Sequence, residues 1–327
     1  MAFDTETLVP GFVAPRLPEK LVEPAALDAA DRQARHWHSA QDRELRPGSD
    51  AHKLAVCQMF RETFNPYRPS VIAWPTLSAE ALERVKSLPI WDIAVHTEGK
   101  ARLKMALYAA TVTDPDMRAA IALNAWEESR HKDVLKELVQ AYGIALEPEP
   151  RYLPPRNAEW GYVVTAYSEC IDSFFAFGLF EMARRSGLFP EELVETFEPV
   201  MQDECRHILL FANWIAWHRA NLPWWRRCYF ELQVAAAWVY LACDRIGLAR
   251  NMGGKERADA KLDTNFTLNG AQAVSEEKIS VADLLRVCLE ENDRRFAGYD
   301  RRLLRPTTMP SLVRLALRFM RSKRAKH

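Results

Sequence analysis

The sequence predicts an all-α protein, a four-helix bundle with further helices before and after it. Three observations carry this. Pro and Gly fall in clusters and leave long uninterrupted stretches between them. Gly is scarce, 12 in 327 residues, and no stretch alternates apolar and polar residues as a half-buried strand does. Two pairs of long helical segments, each joined by a short turn, echo one another in the middle of the chain.

In chain order, residues 1–23 hold three prolines and little periodicity, and read as an extended surface arm. Residues 24–64 read as two helices broken near Pro47-Gly48-Ser49, and Pro66 to Pro75 as a loop. Ser78 can cap a short helix to Ser87, with Ala81, Leu82 and Val85 inward. Four long segments follow. The first runs from about Ile90 to Val112, and Asp114-Pro115 ends it and starts the second, which stops at Gly143. A proline-rich link, Glu147 to Arg156, leads to the third, about Glu159 to Ser186, and Gly187 and Pro190 turn it into the fourth, about Glu191 to Asn221. Two short turns and one longer link are what a bundle of two antiparallel hairpins requires. A fifth long helix spans about Trp224 to Asn251. Its apolar run, Val234 to Cys243, is too short to cross a bilayer and suits a buried helix. Asn251 to Gln272 reads as loop, and helices near Ser280–Tyr299 and Ser311–Lys323 close the chain. The organisation expected is residues 1–89 as arm and covering helices, 90–221 as bundle, and 222–327 as C-terminal helices.

Composition narrows function. Hydrophobic residues are 48% and charged residues 27%, so the chain can fold around a large core. Forty-four basic side chains balance 44 acidic ones, which argues against nucleic acid as a partner. No glycine-rich phosphate loop occurs, and the six cysteines form no C-x-x-C pair. The acidic N-terminus lacks the order of a signal peptide, so a cytoplasmic protein with reduced thiols is expected.

The chemistry is concentrated in two motifs. The second long segment contains Glu127-Glu128-Ser129-Arg130-His131, and the fourth contains Asp203-Glu204-Cys205-Arg206-His207. Residues i and i+3 share a helix face, so Glu128 can ligate the same ion as His131, and Glu204 the same ion as His207. One such pair is commonly just a solvated contact; two copies, each flanked by an acid and an Arg, point to a dinuclear site in a bundle core. Such a site needs one more carboxylate from each remaining helix, and hairpin geometry nominates them. Glu128 lies 15 residues after Thr113 and Glu98 lies 15 before it; Glu204 lies 17 after Gly187 and Glu169 lies 18 before it. Glu181 competes with Glu169 but falls at a different height. The metal set expected is therefore Glu98, Glu128, His131, Glu169, Glu204 and His207. Glu127 and Asp203 are candidates to orient the histidines. His96, Asp172 and Glu181 are read as ordinary polar side chains.

These motifs resemble those of the ferritin-like di-iron carboxylate superfamily, over residues ~90–220. The [DE]-E-x-R-H form is most similar to soluble acyl-carrier-protein desaturases and bacterial multicomponent monooxygenase hydroxylases. Leu135 stands where small-subunit ribonucleotide reductases carry a radical tyrosine, and Val200 where arylamine N-oxygenases carry an extra histidine. Manganese catalases share the ligand set. The resemblance implies a ferritin-like four-helix bundle, two iron ions (Fe/Fe, or Mn/Fe or Mn/Mn), and an oxidoreductase that uses O2 on a small, apolar organic substrate. It implies a separate electron donor, a reductase or ferredoxin, because no flavin, haem or iron–sulfur motif is present. Ser173, one turn after Glu169, is the candidate catalytic hydroxyl, such a group in this family being proposed to assist proton delivery; otherwise it bonds its own helix. Two rival functions are an iron-handling or peroxide-consuming ferritin relative, and a non-enzymatic helical protein clamped by the metal. A homodimer is a further option.

After Asp300 there are nine Lys or Arg and no acid. Leu312, Leu315, Ala316, Phe319 and Met320 share a stripe, with Arg314, Arg318 and Arg321 opposite. Such a helix can dock on an acidic membrane surface, dock on an acidic protein such as a ferredoxin or acyl carrier protein, or pack its stripe on the bundle.

Overall fold

The structure is a computed structural model that describes residues 4–17, 19, 24–41, 44–69, 72–88, 90–187, 190–252 and 280–324. Among the described residues every regular element is a helix. They are α1 (Thr5–Leu8), α2 (Pro24–Arg35), α3 (Asp50–Glu62), α4 (Ala79–Ser87), α5 (Trp91–Ala109), α6 (Pro115–Ala141), α7 (Ala158–Ser186), α8 (Glu191–Thr196), α9 (Glu198–Asn221), α10 (Trp224–Met252), α11 (Val281–Arg295) and α12 (Thr308–Arg324).

Local chemistry sets most boundaries. Ser78 caps α4, Asp114 caps α6 ahead of Pro115, and Asn157 caps α7, each accepting from a backbone N–H three residues on. Gly187 ends α7 at φ 64°, a left-handed position that favours glycine. Two expectations for single elements need correction. The fourth long segment is two helices, because Pro199 cannot donate within a continuous helix and so sits in the first turn of α9, after a break at Phe197. The N-terminal arm is not wholly extended, since Thr5–Leu8 forms a helical turn.

Helices α5, α6, α9 and α7 pack in a closed ring: α5 on α6, α6 on α9, α9 on α7 and α7 on α5. Helix α3 lies across α6 and α9, and the ion pair of Lys53 with Asp114 (2.5 Å) ties it to the α5–α6 corner. Helices α10 and α11 cover the outer side of α7, and α12 rests on α11. One apolar core runs from Val9 through the bundle to Leu303, drawing on all three expected regions. Gly178 on α7 lets α11 approach closely; a Cβ there would collide with Cys288 Sγ.

The fifth long helix is not the buried element expected. Ala237 and Leu241 are buried, but Ala235, Ala236, Val239, Tyr240, Ala242 and Cys243 are exposed. The expected loop at 251–272 lies almost entirely outside the described residues. Among the described residues one helix, Ala158–Arg185, is long and apolar enough to cross a membrane, and it is the bundle helix α7. No disulfide links any of the six cysteines.

Candidate metal centre

Glu128 and His131 stand one turn apart on the inner face of α6, and Glu204 and His207 do the same on α9. Their exposures are 0%, 1%, 7% and 0%, so all four side chains are out of bulk water. One donor atom from each lies within 4.8 Å of the others. His131 Nδ1 is 3.2 Å from Glu204 Oε1 and 3.6 Å from Glu128 Oε2. His207 Nδ1 is 3.0 Å from Glu128 Oε1 and 3.8 Å from Glu204 Oε1. Neither Nδ1 meets hydrogen-bond geometry with any partner, nor does Glu128 Oε2. Buried polar atoms without partners call for an explanation. Two ligands each about 2.1 Å from one ion at right angles stand ~3 Å apart, which is the spacing seen here. Imidazole nitrogen with carboxylate oxygen is a donor set suited to iron or manganese. The cluster therefore fits a metal.

The remote imidazole nitrogens explain why Nδ1 points inward. His131 Nε2 is 3.1 Å from Asp203 Oδ2, and His207 Nε2 is 2.8 Å from Glu127 Oε2. The pairing is crossed: the acid on α9 orients the histidine of α6, and the acid on α6 orients the histidine of α9. Glu127 and Asp203, for which exposure to solvent was the alternative, are both fully buried. Two buried arginines neutralise them. Arg130 donates to Asp203 (2.6 Å), and Arg206 donates to Glu127 (2.8 Å) and Asp203 (3.2 Å). Burial pushes the Asp203 pKa up, but Arg130 and His131 outweigh it and hold the carboxyl ionised. Burial likewise raises Glu127, and Arg206 more than reverses it.

Sequence reasoning missed the lid on this network. Phe60 and Asn65 give backbone carbonyls to Arg206 and Arg130. Thr63 Oγ1 accepts from Arg206 (3.2 Å), and the Tyr67 hydroxyl donates to Asp203 (2.9 Å). The Arg130 guanidinium lies 3.9 Å from the Tyr67 ring centroid. The Phe60, Phe64 and Tyr67 run beside Pro66 supplies the aromatic cover, but nothing local in the sequence ties it to the two arginines.

Glu98 on α5 and Glu169 on α7 stand beside the cluster and are half-buried, lining a cavity that opens to solvent. Burial, then the Glu128 charge, raises Glu98 well above the usual carboxylate range. Burial, then Glu128 and Glu204, raises Glu169 likewise. Burial pulls His207 down, but Glu128 and Glu127 raise it to about 10. Four of the six expected ligands, Glu128, His131, Glu204 and His207, form the compact cluster, and Glu98 and Glu169 line the adjoining cavity. Glu181 does not join them; it pairs with Arg184 and Arg185 at the far end of α7. Asp172 pairs with Arg245, and the His96 ring meets Tyr152 edge-on.

The cavity is ≈ 320 Å³. Glu98, His131, Glu169, Ser173 and Glu204 are among its lining. Its walls are mainly apolar, with Val134, Leu135, Ala176, Phe180, Val200 and Met201 prominent. Thr97, Lys100, Lys104 and Asp244 add polar groups to the lining. Ser173 Oγ donates to Glu204 Oε2 (3.0 Å) rather than to its own helix, whereas Thr165 Oγ1 does bond back, to Gly161 O (2.9 Å). No known protein family, curated protein or solved structure matches this chain.

Proposed function

We propose that this protein is a di-metal oxidoreductase that uses O2 to oxidise a small apolar substrate held in the cavity. The observation that carries the reading is that a mostly apolar cavity is lined by His131 and Glu204 of the Glu/His cluster, together with Glu98 and Glu169. The resemblance of the paired motifs to the ferritin-like di-iron carboxylate superfamily supports it. So does the charge balance. Arg130 and Arg206 cancel Glu127 and Asp203, which leaves Glu98, Glu128, Glu169 and Glu204 facing two imidazoles. Two divalent cations supply the four positive charges that would let all four carboxylates ionise together.

Glu128, His131, Glu204 and His207 would hold the ions, with Glu98 and Glu169 completing the set from α5 and α7. Two iron ions, or iron and manganese, would supply the O2 chemistry when reduced. The chain's own part is to fix geometry and exclude water. Asp203 and Glu127 hold each imidazole with Nδ1 inward. Ser173 holds Glu204 from the cavity side and is the hydroxyl placed to pass a proton there. The apolar wall seats the substrate beside the cluster and keeps it dry. Electrons must come from a separate reductase or ferredoxin.

The test loads the purified chain with Fe(II) without oxygen, admits O2 with a chemical reductant, and analyses products from a panel of apolar substrates. About two metals per chain and an oxygenated or desaturated product are expected. Oxygen consumed with every electron recovered in water would favour an iron-handling or peroxide-consuming protein. Less than about one metal per chain would favour a non-enzymatic helical protein.

A further inference from the structure

The basic C-terminal helix does not spend its apolar stripe on the bundle. On α12, Val313 is buried at 4%, and Met309 and Leu317 pack towards α11 and α7. Leu312, Leu315, Phe319 and Met320 are 50%, 49%, 65% and 38% exposed. Arg314 and Arg318 stand exposed along the same helix, Arg314 within 3.5 Å of Asp293, itself exposed. No acid follows Asp300 in the sequence.

Helix α10 repeats the pattern. Trp225, Leu232 and Val239 recur at helical spacing and are 58%, 69% and 63% exposed, with Trp224 at 78%. From Leu232 to Cys243 the sequence has no charged residue, and Arg226 and Arg227 stand at the aromatic end. The two helices serve the same side of the bundle. Trp238 of α10 meets Tyr167 of α7, and Cys288 of α11, which carries α12, lies against Gly178, about three turns further along the same face of α7.

We propose that α12, with the outer face of α10, docks this protein on an anionic membrane surface. A helix with an apolar stripe, exposed Trp and Tyr, and Arg at its flanks is the composition of an in-plane interfacial helix. The absence of acids on α12 fits an anionic surface, and long Arg side chains can reach headgroups while their stems lie on the apolar stripe. A protein partner would need one complementary groove for two separate convex ridges. The cavity wall includes Tyr240, exposed on this face of α10, so the docked face adjoins the cavity. Docking does not depend on which reaction the cavity supports.

The experiment sediments the full-length, metal-loaded protein with vesicles of phosphatidylcholine alone and of phosphatidylcholine with phosphatidylglycerol. Binding to the anionic vesicles only, weakened by salt, is expected. Phe319→Glu or Leu232→Glu should abolish it, and Arg314→Gln and Arg318→Gln should each weaken it about fivefold. Each variant must melt with the wild type, since none touches the core. Equal binding of wild type and variants, or none at all, would overturn the proposal. So would a solution dimer that Phe319→Glu splits, because the stripe would then be a protein interface.

Discussion

Asp203→Asn probes whether the crossed network carries load. In the native protein Asp203 accepts from Arg130 (2.6 Å), Tyr67 (2.9 Å) and Arg206 (3.2 Å), and stands 3.1 Å from His131 Nε2. The amide keeps the shape but removes the charge. Two buried guanidiniums then share Glu127 alone, at 2.8 Å from Arg206 and 3.6 Å from Arg130. Stranding a buried cation costs about 3–5 kcal/mol. Unfolding entropy of roughly 2.1 cal/mol/K per residue gives ~0.7 kcal/mol/K for 327 residues. The melting temperature should therefore fall by about 4–7 °C. Losing the group that orients His131 should also weaken metal binding about 10–100-fold. Tyr67→Phe is the control, since it removes one hydrogen bond, at about 2 kcal/mol, and leaves His131 its carboxylate. Adding Arg130→Met to Asp203→Asn should recover part of the loss. Circular dichroism melts and competitive metal titration measure both quantities. An Asp203→Asn protein that melts within about 1 °C of wild type and binds metal equally well would refute the reasoning.

Two further outcomes follow from particular contacts. Desolvation raises Asp114 but the Lys53 hydrogen bond more than offsets it, so Asp114 titrates below 3.8 and Lys53 above 10.5. The pair's contribution, about 1 kcal/mol, should thus be constant from about pH 5 to 9 and vanish as pH falls through the Asp114 value. Urea melts of wild type and Lys53→Met should differ at neutral pH and converge as pH falls through the Asp114 value; a difference that does not shrink as the pH falls would sink the assignment. Ala176→Phe should fill the cavity wall without reaching the ligands, so metal content should hold while turnover of apolar substrates falls at least tenfold; unchanged turnover would place the substrate elsewhere.

What the sequence made legible was whatever depended on local spacing. Ser78, Asp114 with Pro115, and Gly187 mark helix ends because caps satisfy backbone groups within a few residues. Glu98 and Glu169 were reachable because an antiparallel hairpin converts equal sequence distance from its turn into equal height. What stayed hidden depended on contacts distant in sequence. The α8–α9 break follows from Pro199 and could have been read. The outward face of α10 could not, because apolar content says how much a helix can bury and not whether a neighbour exists to bury it. The stretch from Phe60 to Tyr67 reads as a helix end and a loop. Its role over Arg130 and Arg206 exists only once α3 lies across α6 and α9.

That lid explains why each motif carries an Arg and an extra acid, beyond what a Glu-x-x-His pair needs. A ligand histidine in a dry core needs a fixed tautomer, which calls for an anion behind it. A buried anion needs a cation, and a buried cation needs carbonyls or aromatic faces. Glu127 and Asp203 answer the first need, Arg206 and Arg130 the second, and Phe60, Asn65 and Tyr67 the third. Because the acids cross between α6 and α9, neither helix can present its histidine correctly without the other. The consequence is an all-or-none site: loss of one outer residue should loosen ligands on both helices, so the Asp203→Asn and Glu127→Gln proteins should show coupled effects on metal affinity. Strictly additive losses would mean that the two halves bind their ions independently.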